Sequence, residues 1–130
     1  MRKTIWVIDD DPIYQIIAKK IIQKSQMFSE AVSFQNGKTA FDTLYNSTQN
    51  NELLPDFILL DINMPIMDGW EFMAKMTEIK TAINKQILVY IVSSSIAQED
   101  KKKAKNHPEI LGYLSKPLSI DDLILIASND

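Results

Sequence analysis

Five short apolar runs punctuate the chain, and four of them stop abruptly at polar or charged residues. Ile5-Trp6-Val7-Ile8 runs into Asp9-Asp10-Asp11, and Phe57-Ile58-Leu59-Leu60 runs into Asp61. The run from Ile87 to Val92 meets Ser93-Ser94-Ser95, and the run from Leu111 through Tyr113 to Ser115 meets Lys116-Pro117. Ala31 to Phe34 is a shorter strand candidate. Short runs rich in β-branched and aromatic residues read as strands buried on both faces.

Helical signals fill the intervals. Asp11-Pro12 pairs an N-cap acid with proline at the first helical position. An apolar stripe of Ile13, Ile16, Ile17 and Ile21 then recurs at helical spacing to about Ser25. Asn36-Gly37 is a turn, followed by a helix marked by Ala40, Phe41 and Leu44; Asn46 to Glu52 is polar and reads as an exposed loop. Asp68 and Glu71 have capping-box spacing ahead of Phe72, Met73, Met76 and Ile79. Ala97 to Asn106 predicts a very polar helix, and Ser119 with Asp122 predicts the cap of a short last helix carrying Leu123, Ile124 and Ile126.

Strict strand–helix alternation implies parallel strands joined by right-handed helical crossovers. The expected fold is α/β: a doubly wound, five-stranded parallel sheet with helices on both faces, in the flavodoxin-like order 2-1-3-4-5. Sites in such sheets form at the carboxyl ends of the strands, where the order reverses. The first and third strands meet at that reversal, which sets Asp9 and Asp10 beside Asp61.

Size and composition narrow the options. The 130 residues suit one domain, taken as 1–130 with no output domain, and 45% hydrophobic content suffices for a core. No apolar stretch reaches the roughly 18 residues of a membrane span. The N-terminal apolar run is too short for a signal peptide, so the expectation is a cytoplasmic protein without membrane insertion. The absence of cysteine excludes disulfides and thiolate chemistry, and a net charge of −3 gives no electrostatic case for nucleic acid.

Clustered carboxylates repel one another, and burial worsens the repulsion. A cation relieves it, and oxygen-only donors at a partly open site favour Mg²⁺. The other strand ends add a hydroxyl, Ser93, and an amine, Lys116. Metal, amine and hydroxyl around one carboxylate suit a phosphoryl group carried by that carboxylate, and Asp61 is the best-placed nucleophile.

These residues resemble the receiver domain of two-component response regulators. The resemblance rests on Ile8-Asp9-Asp10-Asp11, Leu60-Asp61-Ile62-Asn63-Met64-Pro65-Ile66-Met67-Asp68-Gly69, Val92-Ser93-Ser94 and Ser115-Lys116-Pro117. It covers nearly the whole chain in order and spacing. It implies Asp61 as phosphoacceptor, receiving phosphoryl from a histidine kinase or phosphotransfer protein. It also implies Mg²⁺ held by Asp10 directly, by Asp9 through water, by Asp61 and by the backbone carbonyl of Asn63. Lys116 resembles the lysine that pairs with the acyl phosphate, Ser93 the switch hydroxyl and Tyr113 the switch aromatic. Ser94 matches a small residue beside the pocket, Asn63 and Ser95 match positions that modulate dephosphorylation, and Pro117 matches a proline often preceded by a cis bond.

The implied function is a phosphorylation-controlled switch, not an enzyme beyond its own phosphorylation and dephosphorylation. Its output is docking of a downstream protein, not identified by the sequence, through the fourth helix, fifth strand and fifth helix. Two alternatives are a Mg²⁺-dependent aspartyl-phosphate phosphohydrolase and a receiver fragment of a longer regulator. The phosphohydrolase would need an acid two residues after Asp61, where the chain has Asn63. Lys101-Lys102-Lys103 with Lys105 reads as a solvated face, His107 as a surface residue, and Trp6, Trp70 and Met73 as packing residues.

Overall fold

In the computed structural model, residues 3–94 and 97–128 are described. The elements in chain order are β1 (Lys3–Ile8), α1 (Pro12–Ser25), β2 (Phe28–Phe34), α2 (Gly37–Asn46), β3 (Phe57–Leu60), α3 (Gly69–Glu78), β4 (Leu88–Ser93), α4 (Gln98–Ala104), β5 (Ile110–Ser115) and α5 (Ile120–Ser128). All strand pairs are parallel, and the sheet order is β2-β1-β3-β4-β5. The doubly wound arrangement expected from strand–helix alternation is therefore the one observed.

Pleating divides the apolar residues between two layers. Ile5 and Val7 of β1 pack with Tyr14, Ala18 and Ile22 of α1 and Leu123 and Ile126 of α5. Trp6 and Ile8 point the other way, toward Leu44 of α2 and Phe72 and Met73 of α3. Burial of each Val, Leu, Ile, Phe or Met side chain among them contributes about 1.5–3 kcal/mol. Because β1 and β3 lie in the middle of the sheet, all four β3 residues are buried.

Register brings the strand ends level. Ile8 pairs with Leu60, Leu60 with Ile91, and Ser93 with Ser115. The residues that follow, Asp9, Asp61 and Lys116, therefore leave the sheet along one edge.

Helix starts follow the polar signals. Asp11 caps α1 by accepting from the Ile13 and Tyr14 amides, and Asp68 and Glu71 form the reciprocal capping box of α3. Ser119 and Asp122 exchange hydrogen bonds of 2.9 and 3.1 Å at the start of α5.

Several details depart from expectation. β2 begins three residues early, at Phe28, and within the polar segment after α2 Asn51–Leu53 makes one 3₁₀ turn. The α1 stripe faces mostly outward: Ile13, Ile16 and Ile17 are exposed and Ile21 is partly buried against the core, whereas Tyr14, Gln15, Ala18 and Ile22 are buried. The inner line runs at i, i+4, i+8 through Tyr14, Ala18 and Ile22, one helical step round from the isoleucines. Small Ala18, fully buried, sits between the larger Tyr14 and Ile22 on that line. His107 is only partly exposed because it stacks on Trp70, with ring centroids 6.1 Å apart.

Candidate functional site

The acidic end of the sheet is assembled from backbone outward. The Asp9 amide donates to Phe34 O and the Asp61 amide to Ile8 O, each at 2.9 Å, so the ladder continues into the acids. Buried Gln15 straps the same corner. Its Nε2 donates to the carbonyls of Val7, Asp9 and Phe34 at 3.0, 3.0 and 2.9 Å, tying α1 to the ends of β1 and β2. Nothing in the apolar periodicity singled out Gln15 or Tyr14; the i, i+4 line through Ala18 is the signal that locates their face.

The loop after β3 is equally constrained. Gly69 N donates to Ile62 O at 2.8 Å, and a Cβ on Gly69 would lie 2.6 Å from Asp61 O. Only glycine lets α3 begin this close to the strand end. Met67 N donates to Pro65 O at 2.7 Å across Ile66, whose φ is 71°. A β-branched residue at positive φ in so tight a turn stores backbone strain.

Asp9, Asp10 and Asp61 each offer a carboxylate oxygen, and the three oxygens lie within 4.8 Å of one another. Asp9 and Asp61 are buried and Asp10 is exposed. Asp9 Oδ1 accepts from the Asp11 amide at 2.9 Å, and Asp61 Oδ1 accepts from the Ile62 amide at 2.8 Å. Lys116 reaches the free side of both acids: its Nζ is 2.7 Å from Asp9 Oδ2 and 4.0 Å from Asp61 Oδ2.

Burial and the charge of Asp9 push the Asp61 carboxyl up to about 6; Lys116 and the Ile62 amide pull the other way, and Asp10 adds to the rise. Burial disfavours the Lys116 ammonium, but the hydrogen bond and charge of Asp9, with the charges of Asp61 and Asp11, outweigh it and raise its pKa. Tyr14 lies against this ammonium, and its own ionisation is driven up by burial and by Asp9, Asp61 and Asp122.

The remaining expected site residues take different positions. Ser93 is buried at the end of β4, Ser94 follows in an exposed bend, and Asn63 is exposed on the loop after β3. Ser95 lies outside the described residues. The Lys116–Pro117 bond is cis. Tyr113 points outward from β5, and its hydroxyl donates to Lys101 O at 3.4 Å. Trp70 links α3 to α4: its Nε1 donates to Asp100 Oδ1 at 3.1 Å, and Lys103 Nζ lies 5.9 Å from its ring centroid.

The donor set fits a hard divalent cation: it is all oxygen, one carboxylate faces solvent, and Asp61 is strained in its charged form without one. A parallel order 2-1-3-4-5, with acids at the β1 and β3 ends and a lysine after β5, defines a receiver-type signalling domain. The sequence matches the response regulator receiver domain over residues 5–128, and the chain belongs to that family. It is 29% identical over 117 residues to the chemotaxis protein CheY of Halobacterium salinarum, covering 90% of this chain and 87% of that one. It is 31% identical over 121 residues to the nitrate/nitrite response regulator protein NarL of Escherichia coli, of which it spans 51%. Among solved structures, a two-component response regulator from Cytophaga hutchinsonii superposes with a TM-score of 0.87 at 27% identity, covering 100% of both chains. The receiver domain of the histidine kinase CKI1 from Arabidopsis thaliana, complexed with Mg²⁺, shares the fold with a TM-score of 0.80 at 21% identity, covering 99% of this chain and 92% of that one.

Proposed function

We propose that this domain is a phosphorylation-controlled switch whose phosphoacceptor is Asp61. The observation that carries the reading is the trio of carboxylates within 4.8 Å, faced by Lys116. A carboxylate oxygen of Asp61 attacks the phosphorus of a phosphohistidine on a histidine kinase or phosphotransfer protein. The P–N bond breaks, a P–O bond forms, and the departing imidazole takes up a proton. Transfer of this kind is governed by positioning and charge neutralisation.

Asp9, Asp10, Asp61 and the backbone carbonyl of Asn63 would hold Mg²⁺, which would supply charge neutralisation for the phosphoryl oxygens. It would also offset the burial and the repulsion from Asp9 that together push the Asp61 carboxyl up to about 6. CKI1 and its Mg²⁺ support this assignment by likeness of fold. Lys116 pairs with the acyl phosphate, and Ser93 donates its hydroxyl to a phosphoryl oxygen. Tyr113 then changes position beside α4, while Asn63, Ser94, Ser95 and Pro117 modulate the pocket. Asn63 carries no ionisable proton, so the phosphohydrolase alternative lacks its acid/base.

Output is docking of a partner protein on the α4–β5–α5 face. Leu111, Tyr113, Ile120, Ile124 and Leu125 are exposed there, an apolar surface suited to association. Incubation with acetyl phosphate and Mg²⁺ should add one phosphoryl mass to the wild type and none to Asp61→Asn. Undiminished labelling of the variant would overturn the assignment.

A further inference from the structure

We propose that Tyr14 is a positioning residue for Lys116, holding the ammonium beside Asp61 when a cation takes over Asp9. The proposal deepens, and rests on, the reading of Asp61 as phosphoacceptor. Among the described residues, Lys116 Nζ meets three groups in the site: Asp9 Oδ2 at 2.7 Å, Asp61 Oδ2 at 4.0 Å, and the Tyr14 ring with its centroid 4.5 Å away. The lysine is therefore parked on Asp9, not on the acid whose phosphoryl group it is to meet.

A divalent cation at the acidic trio competes with Lys116 for Asp9. Losing that ion pair would free a long side chain, and a mobile lysine gains entropy by swinging into solvent. The ring face offsets this. It attracts the ammonium through its quadrupole and offers no carboxylate oxygen for the cation to claim. The hold on Lys116 thus survives metal binding, and Nζ stays close enough to Asp61 to meet the incoming group.

The chemistry of Tyr14 itself points to its ring. The residue is buried within the α1–α5 layer, packed among apolar side chains that include Leu118 and Leu123. Its hydroxyl has no hydrogen-bond partner among the described residues. A buried hydroxyl without a partner is unfavourable, so the hydroxyl does not explain a tyrosine here. A leucine would fill an apolar layer as well, but it has no face to offer a cation.

The test compares Tyr14→Phe, which keeps the ring, with Tyr14→Leu, which removes it. Two readouts are taken on the full chain: the NMR shifts of the Lys116 Cε protons with Mg²⁺ present, and the rate of phosphorylation by acetyl phosphate. In the wild type and Tyr14→Phe the Cε protons should be shifted upfield by the ring. In Tyr14→Leu they should return to the ordinary lysine position, with the rate falling about tenfold. In a Lys116→Met background, Tyr14→Leu should slow the reaction no further, because its effect passes through Lys116. Unchanged Lys116 shifts in Tyr14→Leu, or an equal slowing with and without Lys116, would overturn the role. If Tyr14→Leu does not fold, Tyr14→Met takes its place with the same expectations. A wild type that accepts no phosphoryl group would overturn the acceptor reading itself. A labelled wild type with unmoved Lys116 signals would overturn only the part assigned to Tyr14.

Discussion

β3 and β5 are parallel strands of one sheet, yet all four residues of β3 are buried whereas β5 exposes Leu111, Tyr113 and Ser115. The helices that follow or precede them differ in the same sense. α3 has ten residues, a reciprocal capping box and four buried positions. α4 has seven residues, no side-chain cap and Ala104 as its buried residue. The acids therefore stand on a centre buried on both faces, while the edge proposed to respond exposes more of its side chains and carries a short, uncapped helix tied in by Trp70–Asp100 and Tyr113–Lys101. Low local stability is a physical requirement for an element that must change position.

The largest effect that would sharpen this contrast is steric. Gly69→Ala puts a Cβ 2.6 Å from Asp61 O and 3.0 Å from Ile62 Cα, both backbone atoms that cannot yield cheaply. It should cost about 2–4 kcal/mol in urea unfolding. Gly112→Ala in β5 puts its Cβ 3.8 Å from the Tyr90 ring and should stay within about 0.5 kcal/mol of wild type. Equal losses at both positions would break the comparison.

An intermediate effect is electrostatic. The Asp61 carboxyl rises from 3.8 to about 6 on folding, chiefly through burial and then through Asp9. Between those values the folded chain holds the proton more tightly than the unfolded chain, so stability falls as pH rises through the window. Below it the cost is absent; above it the cost is complete. Asp61→Asn should therefore be more stable than wild type at pH 8 by about 1–2 kcal/mol, with the gain shrinking toward pH 4. Thermal unfolding at the two pH values decides, and a gain that grows toward acid would contradict the cause given.

The smallest effect is local. Ala97 has extended backbone at the start of α4, with φ −75° and ψ 156°, the geometry an N-cap needs. Ala97→Ser should add about 0.5–1 kcal/mol to α4 and slow exchange of its amides. Exchange rates left unchanged would mean that α4 is not limited by its missing cap.

The sheet order and the acidic trio were legible because each rests on strong local chemistry. Runs such as Phe57–Leu60 are too short for a helix and end at once in an acid, and Asp9 and Asp61 follow directly from paired strand ends. The inner face of α1 was not legible. Ile13, Ile16 and Ile17 are more hydrophobic than Ala18, but the face turned to the sheet is set by Tyr14, Ala18 and Ile22 together, with Ile21 at its margin. Gln15 was hidden for a related reason: its amide is buried to satisfy three carbonyls, a demand that only the folded corner creates. The attachment of Lys116 to Asp9 ahead of Asp61 is likewise a matter of distances that no spacing encodes.

Amide hydrogen exchange before and after phosphorylation tests most directly whether a charge placed at the buried centre is read at the exposed edge. Changes should fall between Gln98 and Ser115, while Ile5–Ile8 and Phe57–Leu60 keep their protection. Loss of protection in β1 and β3, or an α4–β5 segment that does not respond, would contradict the account.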